Sequence, residues 1–165
     1  MRELDAAEQV QAPGFTLRDG SVATLFSSNN ARTVLRHFEW MSAWGLDGVA
    51  VQRFAVDLGD VSQDHVLDLA QSAAEQTGRV FYVMYDLTGM QQGAIVAALT
   101  SDWAKICPSL LRSPSYVTQN GKAVVGVYGF FISRFSAATA NAILDVFLKG
   151  SAACAPAFLA ASGEW

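Results

Sequence analysis

The sequence predicts an α/β fold: parallel βα repeats forming about half of a TIM (β/α)8 barrel. Two observations predict it. After residue 30, apolar stretches of helical period alternate strictly with short strand-like runs. Those runs, near 80–85 and 123–131, are almost continuously apolar, as in parallel strands buried on both faces. Composition agrees: 165 residues, 52% hydrophobic and 16% charged, exclude a disordered chain and suit one domain with a sizeable core.

The elements follow in order. Residues 1–30 are turn-rich, and Asp19-Gly20 between Phe15-Thr16-Leu17 and the run 22–26 reads as a hairpin turn. Asn30 is placed to cap a helix over 31–44 that Gly45 closes, with Val34, Phe38 and Met41 on one face. A strand over 48–54 follows. Ser62 is a cap candidate for a second helix, whose stripe is Val66, Leu67, Ala70, Ala73 and Ala74 and which Gly78 ends. A strand covers 79–86. A third helix runs over 92–106, where Pro108 prevents smooth continuation. A strand over 123–129, a helix from the Ser136 cap to Gly150, and a last strand from 156 complete the order.

Strict alternation implies a parallel sheet with right-handed crossovers. Four strands suit a small open sheet or half of an eight-stranded barrel. A complete barrel needs roughly 250 residues. The chain therefore divides into a hairpin and loop segment, 1–30, and a partial (β/α)8 domain, 31–165. Half a barrel leaves two strand edges unpaired, so self-association through those edges is expected.

Several function classes fall away. A net charge of −4 argues against a nucleic-acid partner. The longest apolar runs are strand-sized, too short to span a membrane. The start, Met1-Arg2-Glu3-Leu4-Asp5, is acidic and carries no signal-peptide core, so the chain itself leaves the compartment open. No GxxxxGK[ST], GxGxxG or GxSxG is present, so no cofactor is expected. Cys107 and Cys154 read as two buried thiols, and spacing alone cannot argue a disulfide. His37 and His65 have no cysteine companions, and no metal site is expected. Asp57, Asp60 and Asp64 read as a solvated loop and helix start.

In parallel α/β folds chemistry gathers at the C-terminal ends of strands. Here those ends deliver Gln52, Arg53, Phe54, Tyr85, Asp86, Tyr128, Glu164 and Trp165. Carboxylate, guanidinium, amide and aromatic groups together suit sugars: rings stack on the C–H face of a pyranose and polar groups bind its hydroxyls. Each has a plainer alternative. Arg53 would pair with Asp57 or Asp86, Asp86 would cap the turn at Thr88-Gly89, and Tyr85 and Tyr128 would pack at the core edge. His37, Trp40, Trp44 and Trp103 read as packing.

The motifs His37-Phe38-Glu39-Trp40-Met41, Gly45-Leu46-Asp47-Gly48-Val49 and Val51-Gln52-Arg53-Phe54 go further. With Gly78-Arg79-Val80-Phe81, Met84-Tyr85-Asp86, Asp102-Trp103, Ser113-Pro114-Ser115-Tyr116 and Asn120-Gly121-Lys122, they resemble bacterial proteins grouped with glycoside hydrolase families 71 and 99. The resemblance runs over residues 15–165. It implies a (β/α)8 barrel acting on α-linked glycans: endo-α-mannosidases in family 99, α-1,3-glucanases in family 71. It also implies a substrate-cleft wall made of Gln52, Arg53, Tyr85, Asp86, Tyr128, Glu164 and Trp165. The late Asn-Glu-Trp stretch with its second glutamate has no match here. Gly163-Glu164-Trp165 has glycine in place of asparagine, so no catalytic pair is carried over.

The expectation is a glycoside hydrolase-like chain, inactive alone, with an oligosaccharide or polysaccharide partner. Asp86 and Glu164 are the weak catalytic candidates, since glycoside hydrolysis takes two carboxyls about 5–9.5 Å apart. A non-catalytic carbohydrate-binding module and a small flavodoxin-like domain are the alternatives.

Overall fold

A computed structural model describes residues 5–130, 134–151 and 154–162. After a 3-10 turn, Ala6–Glu8, come β1 (Gln9–Thr16), β2 (Val22–Phe26), α1 (Ala31–Ala43) and β3 (Gly48–Phe54). Then follow α2 (Val61–Thr77), β4 (Val80–Asp86), α3 (Gln92–Leu110), β5 (Thr118–Gln119), β6 (Lys122–Tyr128), α4 (Ala137–Leu148) and β7 (Phe158–Ser162). No helix among the described residues is long and apolar enough to cross a membrane.

Local chemistry sets most boundaries. The Asn30 side chain accepts from the Arg32 and Thr33 amides and starts α1. Ser136 caps α4 through the Thr139 amide. Gly78, left-handed at φ 64°, ends α2. Two expectations need correction. α2 starts two residues earlier than expected, capped by Asp60, which accepts from the Ser62 amide; Ser62 itself lies inside the helix. α3 does not stop before Pro108 but runs through it to Leu110. Near a helix end a proline forfeits a single backbone bond. The turn beyond it is still held, since the Leu111 amide donates to the Cys107 carbonyl.

β1 and β2 form the expected antiparallel hairpin. The Asp19 carboxylate ties its turn by accepting from the Ser21 amide and hydroxyl. A second hairpin, β5 with β6, escaped the sequence reading. Asn120 and Gly121 both have positive φ there, 52° and 72°, the backbone that an Asn-Gly turn supplies.

The main sheet runs β3-β4-β6-β7, all parallel, in the order of the chain. A flavodoxin-like sheet reverses its strand order at a switch point; this one does not. Alternate residues fall on opposite faces. Val51, Phe81, Val83, Tyr85, Val125 and Val127 form one core with Phe38 and Met41 of α1, Leu67 and Ala74 of α2, Leu99 and Trp103 of α3, and Ile143 and Phe147 of α4. Residues from all four helices thus share one core with one face of the sheet. The opposite face stays open: Gln52 and Ala160 are exposed, Ala50, Tyr82, Met84 and Val124 half-buried. Burial of the strands on both faces is therefore not reached within the described residues.

Two ties fasten the periphery. Glu8 accepts from the Arg36 guanidinium through both oxygens, at 3.0 and 2.7 Å, and fixes the hairpin lead-in to α1. Cys107 and Cys154, both buried, are joined as a disulfide with a Cα–Cα distance of 6.2 Å. The reading of two separate thiols is corrected. The bridge fastens the end of α3 to the segment leading into β7, closing a loop with a sequence separation of 47.

Two outcomes are expected. The Arg36 hydrogen bonds hold the Glu8 carboxyl down at about 2, from an ordinary 4.5. A depressed carboxylate stabilises the fold above its unfolded pKa, and that contribution is lost as pH falls from 4.5 through 2. Amide protection factors in Ala6–Thr16, taken relative to the intrinsic exchange rate at each pH, should therefore fall over that window, and Glu8→Gln should show the lowered protection already at pH 7. Reducing the disulfide should cost about 4 kcal/mol for a loop of this length, read by denaturant unfolding with and without a thiol reductant.

Candidate functional site

At the C-terminal end of the sheet, the register aligns Phe54, Asp86, Tyr128 and Ser162 across four neighbouring strands. Phe54, Asp86 and Tyr128 share the open face with Gln52, two residues before Phe54 on β3. The Gln52 amide donates to Asp86 Oδ2 at 2.6 Å, and the Thr88 amide donates to Asp86 Oδ1 at 2.8 Å. The expected turn-capping role of Asp86 is thus present, with the Gln52 contact in addition. Each carboxylate oxygen keeps a further lone pair. Asp86 is only 4% exposed, whereas Phe54 and Tyr128 on either side are 45% and 39% exposed. Strand spacing puts the two aromatic positions roughly 10 Å apart, with the carboxylate between them.

The loops behind this row are held closely. A Cβ on Gly129 would stand 3.2 Å from Thr88 Oγ1 and 3.7 Å from Asp86 Oδ1, and φ there is 75°. Glycine is the residue that meets both demands. Gln63 clamps the turn after β3: its Oε1 accepts from the Phe54 amide at 2.9 Å, and its Nε2 donates to the Asp57 carbonyl at 2.6 Å. Sequence reasoning missed Gln63, since a glutamine in the first turn of a helix carries no distinctive pattern.

Arg53 and Tyr85 do not line this site, and that expectation is corrected. They are register partners on the opposite face, under the helices, and both are fully buried. Nor does Arg53 pair with Asp57 or Asp86. Its guanidinium meets Asp102 of α3 through Nε at 3.0 Å and a terminal nitrogen at 2.5 Å, and Asp64 of α2 at 2.9 Å. The Tyr85 hydroxyl donates to Asp102 Oδ2 at 2.7 Å. Lys105 reaches Asp64 from the protein surface. Burial would lower the Arg53 pKa, but the Asp102 hydrogen bonds and charge outweigh it and raise it. Burial pushes the Tyr85 hydroxyl well above its ordinary value, and the Asp102 charge adds to the shift. Both groups keep one protonation state at any ordinary pH, so this network holds the sheet to its helices. A signal for it existed in the sequence: Asp102 interrupts the stripe of Leu99, Trp103 and Ile106 and so needs a buried cation.

Of the remaining expectations, Gln52, Asp86 and Tyr128 come together on one face. Glu164 and Trp165 lie outside the described residues. Asp60 caps α2, Asp64 pairs with Arg53 and Lys105, and Asp57 is exposed in its loop. His37 packs edge-on against Phe26 and beside Trp40, and Trp103 is buried against Phe147.

No protein-family model matches the chain, and no curated protein matches it. Among solved structures it is similar to a GH99 endo-alpha-mannosidase from Bacteroides thetaiotaomicron in complex with BIS-TRIS-propane. There the identity is 15% and the TM-score 0.49, over 69% of this chain and 32% of that one. A second structure, titled as the GH99 endo-alpha-mannosidase from the same organism, gives 14% identity and a TM-score of 0.49, over 74% of this chain and 39% of that one. The matched region thus spans 32–39% of those chains.

Asp102→Asn should leave the buried guanidinium without its main counter-charge and cost about 3–5 kcal/mol. Tyr85→Phe removes one hydrogen bond to a carboxylate and should cost about 1.5–3 kcal/mol. Urea unfolding of both variants measures this.

Proposed function

We propose that this chain forms part of the wall and rim of a carbohydrate-binding cleft, built on about half of a (β/α)8 barrel. In this reading residues 31–165 are the barrel portion and residues 1–30 an appended hairpin segment. The parent architecture is glycoside hydrolase-like, related to families 71 and 99, with an α-linked glycan as the ligand.

The observation that carries the reading is the row Phe54–Asp86–Tyr128 with Gln52 beside it, at the C-terminal end of a sheet that follows chain order. Such a sheet has the strand order of a barrel, and barrel chemistry sits at this end. The chemistry of the row agrees. Asp86, pinned by Gln52 and the Thr88 amide, retains acceptor capacity for a pair of sugar hydroxyls. Phe54 and Tyr128 offer exposed ring faces on both sides of it. Their separation of roughly 10 Å brackets a ligand longer than one pyranose. Hydrolysis ordinarily takes two carboxyls, and the row holds one, so Asp86 is assigned to binding. Glu164 and Trp165, next in sequence after β7, complete the proposed set.

Isothermal titration calorimetry with short α-manno- and α-1,3-gluco-oligosaccharides tests this. Saturable binding is expected, with no release of reducing ends. Asp86→Asn should weaken binding about tenfold or more, as befits loss of a charged hydrogen-bond acceptor worth roughly 1.5–3 kcal/mol. Tyr128→Ala should weaken it by a similar factor. Absence of binding to either glycan series, or full affinity in Asp86→Asn, would remove the proposal.

A further inference from the structure

The open face of the sheet below the rim row has a composition that water does not explain. It holds one register row across all four strands, Gln52–Met84–Gly126–Ala160, and one step below it the pairs Ala50–Tyr82 and Val124–Phe158, where the 115–117 segment bonds to Phe81 on one side and Val124 on the other. None of these eight residues is charged, although the chain has 26 Lys, Arg, Asp and Glu side chains in all (11 + 15). Phe158 is 41% exposed. Gly126 leaves room for the Tyr82 and Met84 side chains to lie over the strand: a Cβ there would come within 3.0 Å of both. An uncharged face of this kind marks an interaction surface. The strands also read as buried on both faces, and the helices supply only one cover.

The edges say what fits. Among the described residues β3 pairs only with β4, and β7 only with β6, so the sheet ends in two open edges of parallel strands. A second copy presents the complementary pair, its β3 edge for this β7 and its β7 edge for this β3. Two sets of four parallel strands make eight, the number at which a barrel closes around an interior filled by side chains. Three strands of seven residues and one of five, at about 3.3 Å per residue and about 4.8 Å between strands, give a face of roughly 410 Å². The two edges and the helices flanking them bring each copy towards the roughly 800 Å² of a stable interface.

We infer that this face and its two edges are the interface between two copies of the chain, which close a two-fold (β/α)8 barrel. The inference rests on the barrel reading of the sheet proposed above. The Phe54–Asp86–Tyr128 row lies at the mouth, one step above the rows of the contact, and Gln52 reaches up to it from the upper of those rows.

Sedimentation equilibrium of the 165-residue chain should give twice 17.7 kDa at micromolar concentration. Ala160→Lys puts a charge on an edge strand where the side chain is exposed in a single copy, so folding is retained and the mass should fall to one chain. Circular dichroism melting verifies that the variant is folded. A monomer of the unaltered chain, or open-ended oligomers without a dimer plateau, would overturn the inference. So would an Ala160→Lys protein that is folded and still dimeric. Calorimetry with the same oligosaccharides separates the two ideas: a monomer that binds glycan in a manner sensitive to Asp86→Asn sinks the dimer and leaves the cleft, and a dimer that binds none does the reverse.

Discussion

The buried Arg53 guanidinium is the constraint around which the rest is arranged. It projects from β3 into the layer between sheet and helices, where an unpaired charge is prohibitively unfavourable. Asp102 of α3 meets it with both oxygens, Asp64 of α2 meets it from the side, and Tyr85 of β4 completes the Asp102 shell. Two helices and two strands are thereby held in one relative position. A hydrophobic core is tolerant of small slips; a fork-shaped donor against a carboxylate is not. The network stabilises less than its many contacts imply, because desolvation offsets much of the attraction. Its stronger effect is on specificity of packing.

That fixation decides what faces the other way. With Arg53 and Tyr85 committed to the helices, the period of a strand sends Gln52, Phe54, Met84 and Asp86 to the opposite face. Gln52 then meets Asp86 across the β3–β4 ladder, and Phe54 and Tyr128 stand on either side. The rim and the buried network are two sides of the same few residues. The same parity leaves uncharged positions below the rim, so the proposed cleft and the proposed interface share one cause.

The outer ties act at a different level. Glu8 with Arg36 holds the N-terminal hairpin against α1 and touches neither the rim nor the open face. The disulfide between Cys107 and Cys154 fastens the approach to β7, which among the described residues pairs with β6 on one side only. Bridges of this kind persist in oxidising compartments. An edge strand gains most from a covalent tether, because it has half the backbone bonding of an interior one.

The sequence by itself determined the helices and strands, their order and most of their ends. Caps such as Asn30 and Ser136, glycines such as Gly78, and apolar stripes are local signals, and local signals suffice for local structure. It also placed Gln52, Asp86 and Tyr128 at strand ends. It did not decide which strand-end residues share a face. An almost continuously apolar strand has no alternation to read, so Arg53 and Gln52, or Tyr85 and Asp86, are equivalent until a neighbour breaks the tie. That neighbour is Asp102, 49 residues along the chain from Arg53, and only the packing of α3 onto the sheet brings it there. The pairing of Cys107 with Cys154 is of the same kind, set by where α3 ends relative to β7. Tertiary structure decided these points because each depends on a contact between residues far apart in sequence, and spacing along a chain carries no information about distance across a fold.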